Sequence, residues 1–342
     1  MKKIRNVFFR ADANSKIGSG HIVRCEIIAE TIKQKDEKCN IHFLVKELPD
    51  VYKEQLKKKG YTIHFLPKQA TTEHHVKTLS GFSSSVLVTD SDEQLYYSKR
   101  FQLDVKQQVE RLVMITFHNN AHFYADVVHN QNIMAPSLIY DCEPHCTKLL
   151  GTKYAVLKEK YRIIAAKQKY KQINPSNLTL MITFGGADIS DRTSLVYDAL
   201  QPLQKWISEI IVVIGGLYKN KLSLEKQIDQ SSIPTRLYQN TDKMPELMSK
   251  CDIALNSGGL TCWEFGCLGV LNIILPHSKR EMLSAEYMDK YNYGYTISVK
   301  PNKNIKEAIE NILKDNFFER IVRLKKAISV DGVDKLVKKI LQ

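Results

Sequence analysis

Short β-branched runs alternate with longer helical periods along most of the chain, and this alternation restricts the fold more than any other feature. "NVFFRAD", "NIHFLVK", "TIHFLP", "SSVLVTD", "RLVMITF" and "ADVVHNQN" read as strands. Between them lie helical stretches: His21 to Lys33, with Ile22, Ile27, Ile28 and Ile32 on its inner side, then "DVYKEQLKKKG" and "YYSKRFQLDV". Such a succession builds a parallel sheet with both faces covered. A looser segment from about Tyr161 to Asn177 breaks the pattern and reads as an interdomain linker. The alternation then restarts with "LTLMITFGGAD", a helix from about Arg192, "EIIVVIGG", "PTRLYQN", "KMPELMSK", "DIALNSGG", "TCWEFGCLG" and "LNIILP". At 342 residues the chain exceeds what one hydrophobic core accommodates. The expectation is an α/β protein with two Rossmann-like open parallel-sheet domains, 1–165 and 166–316, followed by a helix over 317–342.

Charge and cysteine usage narrow the function classes. The formal net charge is +13, carried by lysines in "KEQLKKKG", "KEKYR", "KQKYKQ" and "RLKKA", mostly on polar helix faces. Solvated faces account for them, with attraction to a membrane surface as the minor alternative. No basic motif is interleaved with aromatics, which disfavours nucleic acid as a partner. No run of eighteen apolar residues occurs, and "MKKIRNVFFRAD" turns polar too early for a signal peptide, so a cytoplasmic protein without a membrane span is expected. The seven cysteines include no CxxC pair. Cys142 and Cys146 bracket His145 in "DCEPHC", but two thiols and one imidazole fall short of a zinc set. Reduced thiols and no metal are expected.

Four glycine turns follow strands: Gly18 and Gly20, Gly185 and Gly186, Gly215 and Gly216, Gly258 and Gly259. None matches a dinucleotide fingerprint or a P-loop. In "NSGGLTCWE", Ser257, Gly258 and Gly259 allow backbone amides to approach a phosphate, Thr261 adds a hydroxyl, and Glu264 is placed to accept from ribose. A plain helix cap with a solvated glutamate fits the same spacing. His21, directly after the first glycine turn, is either a helix-start residue bonded to a carbonyl or a general base. Spacing alone leaves both pairs of alternatives open.

Taken together, "FRADANSKIGSGHIVRCEIIAETI", "HNQN", "LLGTKYAVLKEKYR", "ITFGGAD" and "GGLTCWEFGCLG" resemble, in order, the UDP-sugar hydrolases of pseudaminic acid biosynthesis and related spore-coat polysaccharide proteins. The resemblance spans about residues 5 to 298. It implies the GT-B architecture, two domains facing a central cleft, related to the UDP-N-acetylglucosamine transferase of peptidoglycan synthesis. It further implies that water, activated by His21 with Asp12 beside it, displaces UDP from a UDP-sugar. Gly18, Gly20, Asn132 and Tyr154 would then shape the sugar pocket. Gly258, Gly259 and Thr261 would hold the diphosphate, Glu264 the ribose and the backbone near Tyr238 to Asn240 the uracil, with Gly185, Gly186 and Ser257 as further substrate-binding residues. No cofactor is implied, and the helix over 317–342 would pack back on the first domain of a monomer. A GT-B glycosyltransferase with an unknown acceptor is the alternative, and a non-catalytic nucleotide-sugar binder a third. The chain departs from the family at sugar-side positions: "TDSDEQLYY" lacks a histidine, "MITFHNN" lacks paired aspartates and "HSKREMLSAEY" lacks a glutamine. The identity of the sugar therefore stays open.

Overall fold

Strand β1, Asn6–Arg10, is buried along its whole length, as a run covered on both faces must be. The computed structural model describes residues 3–14, 16–168, 171, 173–297 and 305–342. It divides into two units, Met1–Lys158 with Asp331–Gln342, and Glu159–Val330.

In the first unit, β1 leads through the glycine turn into α1, Gly20–Lys35. Ile22, Ile27, Ile28 and Ile32 all face the core. There follow β2 (Asn40–Val45), α2 (Asp50–Lys58), β3 (Thr62–Phe65), α3 (Thr72–Leu79) and β4 (Ser85–Asp90). The expected helix over "YYSKRFQLDV" is two, α4 (Gln94–Tyr97) and α5 (Lys99–Lys106), because Ser98 is extended and its hydroxyl accepts from Phe101 N. The unit continues with β5 (Arg111–Ile115), β6 (His122–Phe123), β7 (Val127–Asn130), β8 (Asp141–Cys142) and β9 (Thr147–Leu150). Among the described residues the main sheet runs β3-β2-β1-β4-β5-β7-β9, and β6 pairs with β8 separately. Every pairing in the main sheet is parallel.

The second unit starts inside the stretch expected to be a linker. Residues Glu159–Lys167 form α6, because Tyr161 and Ala165, one turn apart, are buried on one face. The surrounding lysines hide that stripe in the sequence; the rest of the expected linker lies partly outside the described residues. Then come β10 (Leu178–Thr183), α7 (Arg192–Leu200), β11 (Ile207–Ile214), α8 (Lys221–Asp229), β12 (Thr235–Gln239), α9 (Met244–Lys250) and β13 (Ile253–Asn256). The unit ends with α10 (Thr261–Cys267), β14 (Leu271–Ile274), α11 (Lys279–Lys290), β15 (Gly294–Thr296), α12 (Ile305–Lys314) and α13 (Phe318–Ala327). Its sheet order is β12-β11-β10-β13-β14-β15, again parallel throughout.

The single terminal helix expected over 317–342 is two helices. The chain turns extended at Ile328, and α14, Gly332–Leu341, returns to the first unit. There Val333, Leu336, Val337 and Ile340 join the core that contains Ile28 and Ile32 of α1. The second unit accordingly extends to Val330 rather than 316, and it begins at Glu159 rather than 166.

In both sheets the order reverses around the first strand of the unit. Loops leaving β1 and β4 diverge to opposite sides, as do those leaving β10 and β13. A crevice opens at the carboxyl ends of strands at such a switch point.

Burial pushes His42, His75 and His129 of the first unit down to about 4. The folded form therefore stays neutral where an unfolded histidine, at 6.5, takes up a proton. The stability these three residues contribute is present above pH 6.5 and is lost as the pH falls to about 4. The melting temperature, followed by circular dichroism, should decline across that window, before the carboxylates titrate; a flat profile there would contradict the assignment.

Candidate functional site

Asp90 closes β4 at the switch point of the first sheet, and its side chain is only 1% exposed. An ionised carboxylate so placed must be neutralised. Arg24, on α1, does this with a two-pronged contact: Nε to Oδ2 and Nη2 to Oδ1, both at 2.6 Å. One turn earlier on the same helix, His21 Nδ1 meets Asp90 Oδ1 at 2.7 Å. Burial alone would push the Asp90 carboxyl up, but the Arg24 guanidinium and the His21 bond outweigh it and hold it at about 2. Asp90 can then only accept, so Nδ1 of His21 carries a hydrogen, and in the neutral imidazole the lone pair is on Nε2. Nε2 lies 3.8 Å from Asp92 Oδ2, too far for a hydrogen bond.

His21 opens onto a cavity of about 380 Å³ within this unit. Asp12, Asn14, Lys46, Glu47, Lys68, Asp92 and Glu93 line it, with Ile17 as an apolar contributor. Asp12 sits at its base with both oxygens committed. Oδ2 binds Arg10 Nη2 at 2.6 Å, and Oδ1 accepts from the backbone of Lys46 and Glu47 at 2.6 and 3.1 Å. Burial pushes the Asp12 carboxyl up, yet the Arg10 contact and these amides bring it below its usual range. Arg10 is fully buried and also bonds the Tyr96 hydroxyl. Lys46 pairs with Glu93 at 2.5 Å. Asp12 thus ties the ends of β1 and β2 together, and the geometry leaves it no proton to move.

Gly18 is in the left-handed region at φ +73°, where its N–H and Asn14 O close a tight loop at 2.9 Å. Gly20 is the first residue of α1. Asn132 and Tyr154 do not join this cavity. The Asn132 amide bonds Asn130 Oδ1 at 2.6 Å, and the Tyr154 carbonyl accepts from His129 Nε2 at 2.9 Å. "HNQN" thereby fastens β7 to the segment after β9, since Gln131 Oε1 also accepts from Val156 N at 2.8 Å.

The second unit has its own cavity of about 300 Å³ at its switch point. Gly185 and Gly186, leaving β10, line it with Ser257, leaving β13, and with Arg192, His277 and Glu281. The loop after β11 packs so closely that a Cβ on Gly215 would fall 2.3 Å from Gly186 O. A Cβ on Gly258 would fall 2.8 Å from Ile274 Cγ2. Arg192 bonds the Leu275 carbonyl; burial pulls its guanidinium below its usual value, with Glu281 and Asp188 opposing. His277 Nδ1 contacts Glu281 at 2.7 Å. A cation held in a recess of glycine turns suits an anionic group.

Gly258, Gly259, Thr261, Glu264, Tyr238 and Asn240 are not among the residues lining this cavity. Thr261 and Glu264 are half-buried on α10, and Glu264 bonds the Tyr161 hydroxyl of α6. Tyr238 is half-buried near the end of β12. Asn240, at φ +49°, donates its N–H to Ile214 O and lays its amide over Gly216. Sequence reasoning missed Asp90, Lys46, Arg192 and His277. Asp90 stands in a strand-ending "TD" that looks like any turn, 69 residues from His21.

No protein-family model matches the chain. An uncharacterised protein of Methanocaldococcus jannaschii is 23% identical over 313 residues, 90% of this chain. The chain spans only about 60% of that relative's length. The spore coat polysaccharide biosynthesis protein SpsG of Bacillus subtilis is 19% identical, over 81% of this chain and 78% of its own. Among solved structures, MurG of Acinetobacter baumannii aligns with TM-score 0.73 and 13% identity over 98% of this chain and 99% of its own. Anabaena HepE, solved in complex with UDP-glucose, aligns with TM-score 0.59 and 11% identity over 98% of each chain. The fold is therefore that of the GT-B glycosyltransferases, and the chain is a distant homologue of SpsG.

Arg24→Ala would leave the Asp90 carboxylate buried with only partial compensation. Urea denaturation should show a loss of about 3–5 kcal/mol, whereas a change within ~0.5 kcal/mol would mean that the pair does not anchor the site.

Proposed function

We propose that this protein is a nucleotide-sugar-dependent enzyme in which His21 is the general base, transferring the sugar to a hydroxyl-bearing acceptor. The observation that carries this is the His21–Asp90–Arg24 arrangement at a sheet switch point, opening on a polar cavity. Nε2 takes the proton from the acceptor hydroxyl while its oxygen bonds the anomeric carbon and the bond to the donor phosphate breaks. The electron pair leaves with the nucleoside diphosphate. The second unit's own cavity, with Arg192, His277 and the Gly185–Gly186 turn, suits the diphosphate of such a donor, with UDP favoured as the nucleotide by the UDP-glucose complex of HepE. Gly258, Gly259 and Thr261 would add diphosphate contacts, Tyr238 and Asn240 the base contacts. Glu264 would meet ribose only while keeping its bond to Tyr161. Asp12, saturated by Arg10 and two amides, acts by positioning Lys46 and Glu47.

Hydrolysis is the second possibility, favoured by one observation: the lining of the first cavity is mostly charged or amide-bearing and wets readily. A base poised for a sugar hydroxyl also activates water. In that case the enzyme resembles the UDP-sugar hydrolases of nonulosonic acid synthesis.

UDP release from a panel of UDP-N-acetylated sugars, with and without carbohydrate acceptors, separates the two. Acceptor-dependent release is expected for a transferase, and equal release in plain buffer for a hydrolase. In either case His21→Ala should lower the rate by about 10²–10⁴-fold with UDP affinity kept. Undiminished turnover by that variant would remove His21 from the chemistry.

A further inference from the structure

Two thiols that the proposed chemistry does not use flank a tight turn in the first unit. Cys142 ends β8, Cys146 immediately precedes β9, and both are half-buried against one core cluster. Between them the chain reverses, with Cys146 N donating to Glu143 O at 2.9 Å. Pro144 takes the second position of this turn, where its fixed φ is preorganised. The flanks are pinned as well. Glu143 N donates to Phe123 O at 3.1 Å, the Glu143 carboxylate meets His122 Nε2 at 3.0 Å, and Thr147 N donates to Asp126 O at 2.9 Å. The turn thus sets both thiols against the same cluster, on the two sides of one chain reversal.

A metal does not explain the pair. His145 turns instead to Lys106 Nζ and Asp126 Oδ1, at 3.1 and 3.3 Å. Among the described residues no three His, Cys, Asp or Glu side chains converge as a ligand set. The remaining five cysteines, Cys25, Cys39, Cys251, Cys262 and Cys267, are buried, so this pair is the accessible thiol chemistry of the described residues.

We propose that Cys142 and Cys146 form a reversible redox pair, closing to an intrachain disulfide by exchange with a small-molecule disulfide of the glutathione type. The Cys142 thiolate attacks one sulfur of oxidised glutathione, forming a mixed disulfide and expelling one glutathione thiolate. Cys146, on losing its proton, attacks Cys142 Sγ and expels the second. Two cysteines are oxidised, one glutathione disulfide is reduced to two thiols, and the two cysteine protons end on glutathione. Burial pushes both thiols up, Cys146 to about 12. The Cys146 contact and Lys148 pull Cys142 back down, which makes Cys142 the first to react. The turn, rather than thiol acidity, supplies the advantage by holding the second sulfur beside the first. Because the closed loop is so short, the bond adds little chain-entropy stabilisation and stays reducible.

The test equilibrates the full chain, folded, in glutathione buffers from fully reduced to fully oxidised. Samples are acid-quenched, denatured, alkylated and mapped by mass spectrometry. Expected is the joint loss of two of the seven alkylatable thiols, with a Cys142–Cys146 cross-link. In Cys146→Ser, Cys142 should persist as the glutathione mixed disulfide, and in Cys142→Ser the cross-link should vanish. Pro144→Gly should move the midpoint toward more oxidising buffer. Should a serine variant fail to fold, the native cross-link map still decides. Both thiols staying alkylatable across the whole range, or carrying only separate glutathione adducts, would overturn the pair.

Discussion

A guanidinium and a carboxylate withdrawn together from water hold the first unit's functional end in place. Arg24 and Asp90 make two contacts at 2.6 Å with almost no exposure. Neither charge would be tolerated there alone, because desolvating an ion costs several kcal/mol. The pair joins the first turn of α1 to the end of β4. His21, on that same turn, is thereby aimed, with its Nδ1 held on the Asp90 carboxylate. The single ion pair fixes a helix-start imidazole at the wall of a cavity.

Topology explains why the two candidate sites resemble one another. Each sheet places its first strand beside its fourth, so the loops leaving these strands part and leave a recess. The first unit fills its recess with an acid–base pair and a charged lining. The second fills its recess with glycine turns and a half-buried arginine. The same architecture therefore carries a histidine–carboxylate recess in one unit and a glycine–arginine recess in the other, and it is side-chain choice rather than fold that separates them.

The alternation of runs in the sequence carried the sheets, because parallel strands buried on both faces are written as continuous apolar stretches. His21 and the turns at Gly18 and Gly185 were legible for a similar reason: glycine beside a strand end is a local signal. What lay hidden was non-local. Asp90 gains meaning only when β4 pairs with β1, and Arg192 only when Leu275 and Ser257 close around it. The resemblance placed Asn132 and Tyr154 in the sugar pocket; neither lines the first cavity, and the Asn132 amide nitrogen and the Tyr154 main-chain carbonyl bond Asn130 and His129 of β7. α6 was concealed by lysines around a stripe of two buried residues, and α14 by the unbroken helical character of the last stretch.

The measurement that bears most directly on the central claim is steady-state UDP release by Asp90→Asn, alongside its affinity for UDP. An asparagine keeps the shape but accepts through one oxygen only, and it can present its NH₂ to Nδ1, favouring the wrong tautomer of His21. The account predicts a turnover reduced by about 100-fold or more with UDP affinity unchanged. Turnover equal to that of the native protein would contradict it.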